Sequence, residues 1–197
     1  MIKRLKLWAI LIVIASCQSQ NDTIGIDEKN HPYSVRKSIK LPLKISSLIK
    51  GIDVKHSKKK VYPELNEDLP TRALKYKFNF GTSVTSLLDG LEIIEFGAFH
   101  QINNKWVQSS ARPFNTAEFA EWYLCPSGLP VKGTIYSDPN NWYSCDDLDN
   151  TPSKILWYYI GVDSNNEKFV GFDTIELLRE LTEYFILFAD LLRLKPQ

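Results

Sequence analysis

Residues 72–81 constrain the fold most. Leu74, Tyr76, Phe78 and Phe80 fall on one face of an extended chain, and Lys75, Lys77 and Asn79 on the other. That period of two belongs to a β-strand with one face in a core and the other in water. Two further segments carry hairpin signals. Residues 91–101 and 105–110 make the arms of one, turning at Asn103-Asn104, where asparagine tolerates the positive φ of a tight turn. Residues 155–162 and 168–172 make the second, around Ser164-Asn165-Asn166. Leu41, Leu43 and Ile45 alternate with Lys44 and Ser46 and read as a first short strand; residues 134–136 read as another.

Helix signals are fewer. Asn115-Thr116-Ala117-Glu118 is a capping box, in which the asparagine caps and the glutamate reaches back to its amide. The helix it opens would end near Cys125-Pro126. Asp173-Thr174-Ile175-Glu176 repeats the signature and predicts a long C-terminal helix to about residue 194. Leu177, Leu181, Phe185, Phe188 and Leu192 would be its stripe, with Ile186, Leu187 and Leu191 off it. Such a helix packs deep against the sheet, or leaves a face for a partner or a membrane surface. Residues 55–60 read as a charged loop, 61–70 as irregular, Asp138-Pro139-Asn140-Asn141 as a turn and 146–152 as a loop. The order hairpin, turn, cap, helix thus occurs twice, which duplication and convergent capping explain equally well. The expected fold class is α+β: antiparallel hairpins, one short helix and one long C-terminal helix.

The first seventeen residues bear on location. Lys3, Arg4 and Lys6 precede an unbroken apolar run from Leu7 to Ala15, and Ser16 and Cys17 close it. A basic head, an apolar stretch of about 7–15 residues and small residues before a cut are the parts of a secretory signal. The run is shorter than the roughly 20 residues a membrane span needs. Ile14-Ala15-Ser16-Cys17 resembles the lipobox of bacterial lipoproteins. The resemblance implies cleavage after Ser16 and acyl chains on Cys17, and two or more such chains hold a protein firmly to a bilayer. Gln18 in place of aspartate points, by the same resemblance, to the outer membrane. The domains expected are a signal peptide over 1–16, a lipidated tether over 17–40 and one α+β domain over 41–197. Labelled palmitate should enter the wild-type chain and not a Cys17→Ser variant; label in that variant would refute the anchor.

In an exported lipoprotein, Cys17 is taken by lipid, and Cys125 and Cys145 remain as an even pair in an oxidising compartment. They are expected to form a disulfide. A metal site is disfavoured, since neither cysteine has a second ligand at short spacing and His31, His56 and His100 are remote in sequence. Around that pair crowd Trp122, Tyr123, Trp142 and Tyr143, together with Trp157, Tyr158 and Tyr159. Either they pack a core, or Trp122, Tyr123, Trp142 and Tyr143 form a ligand-binding surface with Asn and Asp nearby for sugar hydroxyls.

Loss of the leader's three cations takes the net charge from +1 to about −2. Residues 29–60 hold ten Lys and Arg against Asp53 alone, either a solvated stretch near the tether or an attraction to anionic lipid. Nucleic acid is a poor partner for an exported chain whose lysines have no interleaved aromatics. Asp146, Asp147, Asp149 and Asn150 lack the spacing and glycine of a calcium loop. No Gly-x-Ser-x-Gly elbow, His-Glu-x-x-His, phosphate loop or dinucleotide fingerprint is present, and no cofactor is implied. Glu92, Glu95, Glu118, Glu121 and Asp138 are the acids available to a glycoside hydrolase, and nothing pairs two of them. The expected function is therefore a membrane-anchored, non-enzymatic binding module for a protein or glycan partner, with an immunity or inhibitor protein as one form. The alternative is an envelope polysaccharide or peptidoglycan hydrolase.

Overall fold

A computed structural model describes residues 39–66, 74–109 and 112–180. All of them belong to the compact unit that begins at Ser38. Cys17, the leader and nearly all of the tether lie outside the described residues.

The described chain is mostly β, with 52% of it in strands and 11% helical. One helical turn, α1 (Leu43–Ser46), comes first, followed by strands β1 (Ile49–Lys50), β2 (Ile52–His56), β3 (Lys60–Val61), β4 (Glu64–Leu65), β5 (Tyr76–Ser86), β6 (Glu92–Ile102), β7 (Lys105–Gln108) and β8 (Phe114–Asn115). Helix α2 (Thr116–Trp122) and a 3-10 turn at Pro126–Gly128 precede β9 (Ile135–Cys145), β10 (Lys154–Val162) and β11 (Lys168–Leu177). Two sheets result. The larger has β11, β10 and β6 at its centre, with β1 and β3 on the free side of β11 and β7 and β8 on the free side of β6. The smaller is built on β5, with β9 along one edge and β2 and β4 in tandem along the other.

The two sheets are joined on one side by a single stretch of chain. β1 and β3 pair in parallel with β11, whereas β2 and β4 pair with β5. The backbone therefore steps from sheet to sheet at Gly51 and again after His56. Gly171 permits the approach: a Cβ there would lie 2.5 Å from the carbonyl oxygen of Ile52. On the opposite side, no hydrogen bond joins β9 to β7 or β8 among the described residues.

The core lies between the sheets. Phe78, Phe80 and Val84 of β5 face Phe96, Ala98, Ile155, Trp157, Tyr159 and Ile175 of the larger sheet. The alternation expected for residues 72–81 is seen in β5 and continues to Ser86. In β6 the inward parity changes from Leu91 and Ile93 to Phe96 and Ala98, across a bulge where Ile160 pairs with Glu95 and Gly161 with Ile93. β10 is buried on both faces, since α1 lays Ile45 against Leu156, Tyr158, Ile160 and Phe99 on the outer side of the sheet. Its unbroken apolar run is the mark of a strand without a wet face.

Both hairpins form as expected, with Asn103 at φ 49° and Asn104 at φ 58° in the first turn and Asn166 at φ 62° in the second. The capping box at Asn115 also forms: the Asn115 side chain accepts from the Glu118 amide at 3.1 Å, and Glu118 accepts from the Asn115 amide at 2.8 Å. Asn115→Ala should cost about 1 kcal/mol, the ordinary worth of such a cap. An unchanged urea midpoint would show that the helix is held by packing alone.

Several expectations are corrected. The fold is not α+β with a long C-terminal helix. Residues 173–177 continue β11, with 173–176 paired to β10 and Leu177 to Val61; residues 178–180 are not helical, and the rest of the expected helix lies outside the described residues. The cap signature at Asp173 loses to a ladder of backbone bonds and to the burial of Ile175 and Leu177 at a period of two. Asp173 instead accepts from the His56 amide at 3.1 Å and from Lys59 at 2.5 Å, bracing the chain between β2 and β3. The apparent duplication goes with it. Residues 43–46 are helical rather than a strand, and Asp138-Pro139-Asn140-Asn141 is a bulge inside β9 rather than a turn.

The disulfide is also absent: Cys125 and Cys145 are free thiols. Their positions explain why. Cys125 packs beside the Tyr136 hydroxyl, near the start of β9, and Cys145 ends that strand beside Thr151 Oγ1 at 3.1 Å. Nine residues of strand, about 30 Å, separate Tyr136 from Cys145. Reductant should therefore leave the thermal midpoint unchanged. Loss of a disulfide worth about 3 kcal/mol would lower it by roughly 6–12 °C in a chain of this size.

Candidate functional site

The open side of the sandwich is a cleft with a cavity volume of about 660 Å³. Its back wall is the inner face of the larger sheet, where Ala98 and His100 of β6 and Ile155 and Trp157 of β10 project. Helix α2 covers the neighbouring part of that face with Phe119 and Tyr123, packed on Phe96 and Tyr159. Past the end of α2 no described residue covers it, and Phe114 and Trp122 form the rim there. β9 supplies the facing wall.

The four aromatic residues expected to bind a ligand are divided by strand and helix geometry. Tyr143 lies opposite Phe78 and so points inward, reaching the ring of His100 edge-on at 5.1 Å between centroids. Trp122 is 37% exposed at the mouth. Tyr123, next along the helix, is 2% exposed and belongs to the core, its hydroxyl paired with that of Tyr159. Trp142 borders the cleft, but successive residues of a strand face opposite ways. It pairs with Asn79 and lies under Lys77, so its ring is on the outer face of the smaller sheet. Residue type pointed to Trp157, Phe114 and His100 only weakly, because their convergence depends on which strands become neighbours.

The cleft is nearly uncharged. Among the described residues Asp138 is the one carboxylate in its lining, and no Lys or Arg lines it. Burial lowers the pKa of His100 and pushes the Tyr143 phenol up to about 12, so both are neutral at pH 7. Neither side chain has a hydrogen-bond partner among the described residues. The Trp157 indole N–H is likewise unpartnered there, although the residue is only 8% exposed. Of the other acids named from sequence, Glu92 accepts from Thr116, Glu95 pairs with Lys44 under α1, and Glu118 is held by Arg112 and the helix cap. In the acidic loop, Asp147 is engaged by the Asp149 amide and the Asn150 side chain. No three His, Cys, Asp or Glu side chains gather as a metal site among the described residues.

Behind the cleft runs a buried polar network. Asn141, on the cleft wall, donates to Thr82 Oγ1 at 2.9 Å, and the same oxygen meets His56 Nδ1 at 3.0 Å. Burial lowers the pKa of His56, partly offset by Asp173, and its Nε2 has no partner among the described residues. A histidine whose folded pKa lies below its unfolded value of about 6.5 is protonated first in the unfolded chain. Stability should therefore fall as pH drops below about 6.5, with His56 and His100 acting in the same direction. Asp173 has a lowered pKa and loses its contribution only nearer pH 4. Urea midpoints at pH 7.5 and 5.5 would show the decline; a flat profile would mean that both rings are already solvated.

No protein-family model and no curated protein matches this chain. Among the described residues, no helix is long and apolar enough to cross a membrane.

Proposed function

We propose that this chain is an envelope lipoprotein, anchored through acyl chains on Cys17, that binds a partner in the cleft between β9 and β6 without catalysing a reaction. The observation that carries the binding half is the cleft itself. It has the size and apolar lining of ligand sites in general, with a few polar groups converging on it. The anchor reading is supported by the lipobox-like residues 14–17, and Gln18 in place of aspartate supports the outer membrane as its location.

An envelope hydrolase would need a second carboxylate near Asp138 to divide acid and base or nucleophile roles. Among the described residues Asp138 is the one acid in the lining, which favours binding over hydrolysis. Capture of envelope proteins and glycans by the full chain, compared with its Trp122→Ala and Ile155→Asp variants, tests the proposal. A partner held by the wild type and lost by both folded variants is expected. Breakdown of an envelope polymer by the purified chain would overturn it.

A further inference from the structure

The wall formed by β9 narrows what the cleft can hold. As an edge strand, β9 would ordinarily offer its backbone to an added strand from a partner. Here the donors are withdrawn in sequence. Pro139 has no N–H, the Asn140 amide donates to Asp138 Oδ1 at 2.9 Å, and the Trp142 amide donates to Asn141 Oδ1 at 2.9 Å. A peptide strand laid along this edge would find three consecutive or alternate positions without a free donor. Strand addition is thus a poor way to occupy the cleft.

Charge narrows it further. Among the described residues the lining holds Asp138 and no cation, and Arg112, which lies over the Phe114 ring, is already paired with Glu118, so an anionic headgroup would be desolvated with no unengaged counterion in the lining. What the walls do offer is apolar ring and aliphatic surface with uncharged donors and acceptors set into it. The Tyr143 hydroxyl and the His100 imidazole can each give or accept a hydrogen bond, and Asp138 keeps Oδ2 free to accept. The Trp157 N–H is buried in the same wall with no acceptor among the described residues, an unfavourable state that a ligand oxygen would relieve. A ligand with apolar C–H faces and many hydroxyls, and no net charge, matches both halves of that surface.

Building on the binding reading above, we infer that the cleft takes a neutral saccharide, stacked at the Trp122 and Phe114 rim, with its hydroxyls served by Tyr143, His100 and Asp138. The test uses the full chain as the cell processes it, in lipid nanodiscs where it carries acyl chains. It is titrated with a panel of neutral oligosaccharides, their uronate and sulfated counterparts, palmitate and an extended apolar peptide. Saturable binding of a neutral oligosaccharide is expected. Tyr143→Phe and His100→Ala should each weaken it about three- to tenfold, and Trp122→Ala more than tenfold, with circular dichroism unchanged.

Tighter binding of palmitate, a charged glycan or the peptide, weakened by the same substitutions, would overturn the saccharide and leave the cleft as the binding site. Binding of no panel member would also overturn it. Saccharide binding indifferent to all three substitutions would remove the site. If envelope partners too are captured equally by wild type and by the Trp122→Ala and Ile155→Asp variants, the cleft reading itself falls.

Discussion

Phe96→Ala should cost about 3–5 kcal/mol, a large share of the 5–15 kcal/mol that holds a domain folded. Phe96 is wholly buried and is the hub of the aromatic cluster. It stacks on Tyr159 with 3° between ring planes and a centroid distance of 5.6 Å. It meets Phe119, Trp122 and Tyr123 edge-on, and Phe114 at a tilt. Truncation removes the ring's transfer energy and leaves a cavity bounded by one strand on each side and a helix. Those boundaries collapse poorly, because β6 is fixed by bonds to both β10 and β8. Chemical denaturation would give the loss, and Phe96→Leu should recover much of it. A cost below about 1.5 kcal/mol would mean that α2 closes over the gap, and would deny the cluster its central place. Since α2 also sets one end of the cleft, the alanine variant should bind any cleft ligand less tightly even where it remains folded.

Thr82→Val should destabilise by about 2–5 kcal/mol although the side chain hardly changes shape. Thr82 is 1% exposed, and its hydroxyl serves both His56 and Asn141. Valine would leave the Asn141 amide N–H and His56 Nδ1 buried without partners, at about 1–3 kcal/mol each. Thr82→Ser keeps the oxygen and loses a methyl, so it should cost clearly less. If valine and serine behaved alike, the loss would be one of packing and the network would hold nothing in place. Asn141 also ties the Trp142 amide, so the valine variant should loosen the β9 wall. Faster amide exchange at Trp142 would report that directly.

How much of this was legible depended on how local each signal is. The strand around Phe78, both hairpins and the cap at Asn115 were readable because alternation, turn asparagines and a capping pair act within a few residues. Asp173-Thr174-Ile175-Glu176 carries the same local pair and forms a strand, since nine register partners on β10 outweigh one cap. Cys125 and Cys145 form an even pair in sequence, yet Cys125 packs near the start of β9 and Cys145 ends it, so an extended strand keeps them apart. Trp142 and Tyr143 look like one surface in sequence and face opposite ways in a strand. Trp122 and Tyr123 part between the cleft mouth and the core.

The sequence by itself determined the strands with one wet face and the places where the chain turns, because each rests on neighbours within a turn or two of chain. Tertiary structure alone decided that residues 173–177 join the sheet, that Cys125 and Cys145 stay free, and that Tyr143, His100, Trp157 and Trp122 meet around one cleft. Those outcomes turn on which strands become neighbours. That choice is made by burial summed over two sheets, and no stretch of ten residues carries it.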